Sequence, residues 1–239
     1  MTVLAVLQAR MSSTRLPGKV LMPLVGAPMI VRQIERVSRA RRIDRLVVAT
    51  SVNPEDDAIE TVCRREGIAV HRGPLDDVLA RFVGALDAYP ADHVVRLTAD
   101  CPLADPDVID ATIDLHLVSG ADYASNSPDD AAFAKGLDVE VMTAATLRRA
   151  ADEAATPEEH EHVTWGIWHA PDRYRLAWLS AAPGEAEVRW TVDRPDDYAF
   201  VAAVYDELYP TRRDFGSDDV RAFVRERADL ARYGGDRRV

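Results

Sequence analysis

The chain has 239 residues, 47% of them hydrophobic, enough to bury one substantial core and near the upper end of what a single domain holds. Its formal charge of −11 argues against any general affinity for nucleic acid, whose phosphates demand a net basic face, so an anionic substrate has to be met by a local basic patch. Two cysteines, Cys63 and Cys101, are too few for a disulfide framework, and no run approaches the roughly 20 apolar residues of a membrane helix; the expectation is a cytoplasmic protein with no membrane partner.

In chain order, Val3 to Leu7 is a continuous apolar run, the pattern of a strand buried on both faces of a parallel sheet. Residues Gln8 to Gly18 make a polar loop, and Met29 to Arg39 carries Ile30, Ile34 and Val37 at helical spacing. Leu46 to Thr50 repeats the strand pattern and Glu55 to Glu66 reads as a helix stopped by Gly67. Ile68 to Val70 is a short strand, Asp76 to Ala88 a helix, and His93 to Leu97 a strand that ends at Thr98-Ala99-Asp100-Cys101-Pro102-Leu103. Alternation at this spacing predicts right-handed crossovers and a mostly parallel sheet flanked by helices. Ligands of such sheets bind beyond the carboxyl ends of the strands, where the loops at Gln8 and Asp100 both fall.

After a helix from Asp107 to Val118 the rhythm loosens. Asp122 to Asn126, Leu137 to Met142 and Val188 to Val192 look like strands, separated by helices near Ala144 to Ala154 and Glu159 to His169. This half either adds antiparallel strands or forms a β-arm for dimerisation. Asp196 to Leu208 and Ser217 to Leu230 are helical, and Gly234-Gly235-Asp236-Arg237-Arg238 reads as a frayed end.

The first loop, Gln8-Ala9-Arg10-Met11-Ser12-Ser13-Thr14-Arg15-Leu16-Pro17-Gly18-Lys19, suits a triphosphate. Arg10 and Arg15 can fork onto phosphate oxygens, Lys19 acts as a point charge, and the hydroxyls of Ser12, Ser13 and Thr14 with the loop amides complete an anion cradle. The pattern is not the phosphate loop of G-x-x-x-x-G-K-[ST], which disfavours a kinase or ATPase of that class. Asp100 follows a buried strand, which aims its carboxylate at the same space; alone, it reads equally well as a turn or cap residue, as does Asp193.

The segments Gln8 to Lys19, Ala49-Thr50-Ser51, Arg72-Gly73-Pro74 with Asp76-Asp77-Val78-Leu79, Arg96 to Leu103, Gly136 to Glu140, Glu161 to Thr164 and Arg189 to Asp193 together resemble the CTP-dependent sugar-acid nucleotidyltransferases. Within them they are most similar to the branch of the spore-coat polysaccharide biosynthesis protein F, related to the acylneuraminate and 3-deoxy-manno-octulosonate cytidylyltransferases. The resemblance implies an α/β, Rossmann-like nucleotide-diphospho-sugar transferase fold in one domain over 1–239. Residues 1–120 would mainly bind nucleotide, and the less regular 121–239 the acceptor and a second subunit of a homodimer.

It further implies transfer of CMP from CTP to a small anionic acceptor (a sugar, sugar acid or phosphonate) with release of pyrophosphate, for a surface polysaccharide or specialised metabolite. By resemblance Asp100 and Asp193 hold Mg²⁺, while Arg10, Arg15, Lys19 and Asp100 are the catalytic set. Nucleotide contacts fall on Gln8, Ala9, Arg10, Ser12, Ser13, Thr14, Arg15, Lys19, Thr50, Ser51, Arg72, Thr98, Ala99 and Asp100. Acceptor contacts fall on Asp138, Glu140, Glu161 and His162. For Thr50, Ser51 and the Asp76-Asp77 pair helix capping is the rival reading, and for His162 a structural hydrogen bond is. Two other functions stay open: a GTP- or UTP-dependent sugar-phosphate nucleotidyltransferase, and a non-catalytic nucleotide-binding subunit. The tryptophans Trp165, Trp168, Trp178 and Trp190 read as core or interface packing.

Overall fold

The computed structural model describes residues 1–128 and 132–239. The first half alternates as expected: β1 (Val3–Gln8), a short hairpin of β2 (Pro23–Leu24) and β3 (Ala27–Pro28), α1 (Met29–Val37), β4 (Arg45–Ser51), α2 (Asp57–Arg65), β5 (Ala69–Gly73), α3 (Val78–Ala88), β6 (His93–Thr98) and α4 (Pro106–Ser119). The second half contains β7 (Tyr123–Ser125), β8 (Glu140–Thr143), α5 (Ala144–Glu153), α6 (Pro157–Glu161), α7 (Trp165–Trp168), β9 (Leu176–Trp178), α8 (Pro195–Leu208), α9 (Ser217–Glu226), β10 (Arg232–Tyr233) and β11 (Asp236–Arg237).

Seven strands form the central sheet in the order β5-β4-β1-β6-β8-β7-β9. β5, β4, β1 and β6 are parallel, and β8 joins β6 and β7 antiparallel. The apolar run of β1 is central for the reason its sequence gives: Leu4, Val6 and Val47 face one buried layer with Phe82 and Leu86 of α3, while Val3, Ala5 and Leu7 face the other with Ile30, Ile34 and Val37 of α1. A third core, around Trp190, Phe200, Val204 and Phe215, packs α8 and α9 beside the sheet.

The second half differs from the expectations at several points. Among the described residues Val188 to Val192 is extended but joins no sheet; it runs along Lys135, with Trp190 N–H and Thr191 N–H both donating to the Lys135 carbonyl, and Val192 N–H donating to the Asp100 carbonyl at 2.8 Å. Gly136 permits this close pass, since its φ is +109° and a Cβ there would stand 2.6 Å from Thr191 N. Glu159 to His169 is not one helix but two short ones, broken at Val163 with φ +40°, a region β-branched residues avoid. Of Leu137 to Met142 only the end is strand, β8 beginning at Glu140.

The end of the chain is ordered, not frayed. β10 and β11 make a hairpin, Trp190 Nε1 donates to the Arg238 carbonyl at 2.7 Å, and the fully buried Arg238 guanidinium donates to Asp197 at 2.7 Å. The edge strand β9, parallel to β7, has no counterpart in the sequence reading because three residues carry too little periodicity. Among the described residues no helix is long and apolar enough to cross a membrane.

Candidate active site

A cavity of about 250 Å³ opens at the carboxyl ends of β1 and β6, the place where parallel strands deliver their loops. Gln8, Ala9, Arg10, Ser13, Thr14, Arg15 and Lys19 line it from the first loop, Thr98, Ala99 and Asp100 from the end of β6, and Glu161, His162 and Asp193 from the second half. Both halves of the chain therefore build one cavity.

The first loop is tied down from below. Met11 N–H donates to the buried Asp56 carboxylate at 2.7 Å, and the same carboxylate accepts from Ser51 N–H at 3.0 Å and from the Ser51 hydroxyl. Gly18, at φ +72°, closes the loop with an N–H donated to the Met11 carbonyl at 3.0 Å. One turn of 3₁₀ helix, Lys19–Leu21, follows and aims Lys19 inward.

Lys19 is the centre of the charge arrangement. Its ammonium, buried, donates to Asp100 Oδ2 at 3.1 Å, to Asp193 Oδ1 at 3.0 Å and to the Val192 carbonyl at 2.7 Å. Asp100 also accepts from Thr98 Oγ1 at 2.6 Å, and Asp193 is shared with Arg15 at 3.0 Å and Arg189 at 2.8 Å. Burial alone would raise the Asp193 carboxyl, but hydrogen bonds from Arg189 and Lys19 outweigh it and hold it below the ordinary carboxylate range. The backbone bond from Val192 to Asp100 explains how residues 93 positions apart meet: Asp193 is delivered to the end of β6 by the extended 188–192 segment.

Arg96 also lines the cavity; it donates to Gln8 Oε1 at 3.1 Å and pairs with Glu140 behind it, which also accepts from Tyr123 OH at 2.7 Å and from Thr164 Oγ1. Burial pushes the Glu140 carboxyl up, yet the Arg96 charge and these donors bring it below its usual value. Glu140 thus links the first loop to the strained 162–164 turn that presents His162.

Several residues expected at the site are placed elsewhere. Thr50 and Ser51 are fully buried, Ser51 serving Asp56, because β4 ends behind the first loop rather than beside it. Arg72 turns away to Asp57 at 2.6 Å, Glu60 at 2.8 Å and the carbonyls of Ser51 and Asn53. Ser12 does not line the cavity. Asp138, outside β8, accepts from Gly136 N–H at 2.7 Å and Ser127 Oγ at 2.8 Å, a turn-holding role; Glu140 lies behind Arg96 as described. Asp77 caps α3 by accepting from Ala80 N–H at 2.8 Å.

The sequence reading missed Asp56, Arg81 and Arg96. Asp56 lies in a Pro-Glu-Asp-Asp helix start that looks like any acidic first turn, and Arg81 lies mid-helix. For Arg96 the signal was present: a charge inside the otherwise apolar β6 run needs a partner.

A helix-flanked parallel sheet with two aspartates and a cationic loop gathered beyond its strand ends defines a nucleotidyltransferase. A family model described as cytidylyltransferase matches residues 4–165. The chain belongs to the cytidylyltransferase family. It is 34% identical over 241 residues to the spore coat polysaccharide biosynthesis protein SpsF of Bacillus subtilis, covering 96% of each chain. It is 30% identical to a 3-deoxy-manno-octulosonate cytidylyltransferase of Anaeromyxobacter dehalogenans, over 96% of this chain and 98% of that one. Among solved structures it is similar to a cytidylyltransferase from Leptospira borgpetersenii serovar Hardjo-bovis, with TM-score 0.90, 27% identity and 96% of each chain covered. A CMP:2-keto-3-deoxy-manno-octonic acid synthetase complexed with CTP shares the fold at TM-score 0.66 and 18% identity, over 87% of this chain and 99% of that one.

Proposed function

We propose that this cytidylyltransferase moves CMP from CTP to a small anionic acceptor, a sugar acid or a similar sugar or phosphonate, with Mg²⁺ as cofactor and pyrophosphate as leaving group. The observation that carries the reading is the Lys19 ammonium held between Asp100 and Asp193 inside a cavity that Arg10 and Arg15 also line. The relatives named for spore coat polysaccharide and for 3-deoxy-manno-octulosonate support a surface-polysaccharide role and an acidic sugar as acceptor.

The acceptor oxygen attacks the α-phosphorus in line, the bond to the bridging oxygen breaks, and pyrophosphate departs. Such a reaction needs alignment and charge neutralisation more than covalent help. Arg15, Lys19 and Arg10 meet the β- and γ-phosphates, and the first-loop hydroxyls of Ser13 and Thr14 hold the chain in register. Asp100 and Asp193 fit a hard divalent cation: their carboxylates converge within reach of one ammonium, and Mg²⁺ takes one or two carboxylates with phosphate oxygens and water in its other positions. When bound there, the ion supplies charge for the developing negative oxygens. Glu161, whose carboxylate lies 3.9 Å from the Arg10 guanidinium, and His162 beside it would receive the acceptor. The active species is a homodimer, testable by sedimentation at micromolar concentration.

Pyrophosphate release is the test. The wild-type protein with CTP and Mg²⁺ is expected to release pyrophosphate only when a suitable acidic sugar is added, and not with GTP or UTP. Release driven equally by GTP or UTP would replace the cytidylyl reading with the sugar-phosphate one, and no release across a broad acceptor panel would favour a non-catalytic role.

A further inference from the structure

Gln8 and Arg96 both line the cavity, and the reaction just described gives neither a task. In the register of β1 on β6, Arg96 stands opposite Val6 and Gln8 opposite Thr98, so their side chains leave the same face of the sheet on neighbouring strands. Their mutual bond fixes what each still offers. Arg96 Nε donates to Gln8 Oε1 at 3.1 Å, and a guanidinium has no acceptor, so the Gln8 amide is held with its oxygen on Arg96 and its Nε2 as the remaining donor. Arg96 Nη1 is taken by Glu140. Nη2 shares an edge of the guanidinium with Nε and therefore lies beside the Gln8 amide. Among the described residues neither Arg96 Nη2 nor Gln8 Nε2 has a hydrogen-bond partner, and neither is shut away from solvent. The Arg96 side chain keeps 17% exposure although it rises from the middle of the sheet.

Two adjacent donors with no acceptor between them suit a group that only accepts, and a carboxylate presents two such oxygens in one plane. A polyphosphate is met elsewhere. Arg10, Arg15 and Lys19 stand in the loop beyond the strand ends, whereas Arg96 is two residues back from Thr98 along β6, roughly 6–7 Å deeper. The Arg96 charge is also balanced by Glu140, so directional hydrogen bonding is what remains, which fits one carboxylate better than a chain of phosphates. Through the bond from Thr164 to Glu140 the donor pair is tied to the turn that brings His162 into the same cavity.

Resting on the transfer to an anionic acceptor, we propose that Gln8 Nε2 and Arg96 Nη2 bind the carboxylate of that acceptor. This narrows the acceptor to a sugar acid and moves Gln8, by resemblance a nucleotide contact, to the acceptor side. In the ring form of a 2-keto sugar acid the carboxylate is joined to the carbon that carries the attacking hydroxyl. Anchoring it at Gln8 and Arg96 thus holds that hydroxyl near the strand end where Asp100 stands.

The test uses the full-length wild type, Gln8→Glu and Arg96→Lys. Calorimetry measures CTP with Mg²⁺, and saturation-transfer NMR with CMP present measures pyruvate, its neutral isostere pyruvamide and methylphosphonate. The wild type is expected to bind pyruvate with a Kd of about a few millimolar, the scale of a small ligand held by two hydrogen bonds, and pyruvamide and methylphosphonate at least about tenfold more weakly. Gln8→Glu keeps the bond to Arg96 and puts a carboxylate oxygen in place of Nε2, so its Tm is no lower while pyruvate binding falls by about tenfold or more. Arg96→Lys keeps a cation for Glu140 but lacks Nη2, and loses pyruvate too. In both variants CTP affinity stays within about threefold, less than the loss of one charged hydrogen bond. Pyruvate that the wild type does not bind, or that both variants retain, overturns the proposal. So do methylphosphonate binding as tight as that of pyruvate, a CTP loss equal to the pyruvate loss, which makes the ligand of the pair the nucleotide, and a Tm fall of several degrees in Gln8→Glu, which makes the amide structural. A wild type that binds no CTP overturns the underlying reading as well, whereas tight CTP binding with pyruvate unaffected in the variants overturns this inference alone.

Discussion

Replacing Lys19 by methionine keeps the stem volume and removes the one cation that, among the described residues, Asp100 and Asp193 share. Three hydrogen bonds go with it, at 2.7, 3.0 and 3.1 Å, from a side chain only 9% exposed. Removing one partner of a fully buried pair costs about 3–5 kcal/mol. Here the loss is smaller, because Arg15 and Arg189 still serve Asp193 and the Asp100 side chain is 28% exposed. We predict a destabilisation of roughly 2 kcal/mol at pH 7, a fall in Tm of about 4–8 °C for a domain of this size. Millimolar Mg²⁺ recovers part of it by taking the place of the ammonium between the carboxylates. Pyrophosphate release falls by about a hundredfold or more, the scale of losing one charge that stabilises the transition state. Thermal unfolding by circular dichroism with and without Mg²⁺, and pyrophosphate release, measure the three quantities. An unchanged Tm with unchanged turnover refutes the reasoning, since it would mean that the two aspartates need no cation.

Arg15→Ala removes a 60% exposed guanidinium, so stability changes by less than about 1 kcal/mol, while CTP binding weakens far more than CMP binding; equal losses show that Arg15 does not hold the leaving group. His116, buried against His93 at 3.0 Å, has its pKa pushed down to about 4 by burial and the His93 charge. Because the unfolded chain takes up this proton near 6.5 and the folded one does not until about 4, stability falls as pH drops through that window, by up to roughly 3 kcal/mol. Urea unfolding at pH 7 and pH 4.5 checks this, and His116→Phe should flatten the dependence. Arg238→Met leaves Asp197 with Arg189 and the Asp193 and Arg194 amides, and the Arg189 and Tyr233 carbonyls without their guanidinium donor, and should cost about 3 kcal/mol in urea unfolding; a neutral effect would mean the terminal hairpin is not part of the core.

What could be read from the sequence follows the range of the interactions involved. β1, β4 and β6 announce themselves by continuous apolar runs, and the loop from Gln8 to Lys19 by cations in an acidic chain, since both are local signals. Asp100 is legible for the same reason, as the residue after a buried strand. Asp193 is legible only through the resemblance: its place depends on Gly136 letting the 188–192 segment pass against Lys135 and bond to Asp100, a tertiary arrangement without a period. That arrangement is also why an alternating apolar run there belongs to no sheet among the described residues. Arg72 and Arg81 show the limit from both sides. The one after a strand looked like a site residue but is consumed by Asp57 and Glu60, whereas the one in mid-helix carries no local signal and is buried in the cavity wall. Composition likewise suggests a loose tail at Gly234-Gly235, and only the ion pair of Arg238 with Asp197 shows why it is held.

The most direct measurement is pyrophosphate release from CTP with Mg²⁺ and an acidic-sugar acceptor, comparing wild type with Asp100→Asn. The substitution replaces a partly exposed carboxylate by its isostere, so Tm should shift by only a few degrees, while turnover should fall at least about a thousandfold. Wild-type rates in a folded Asp100→Asn protein would contradict the account of this cavity as the site of cytidylyl transfer.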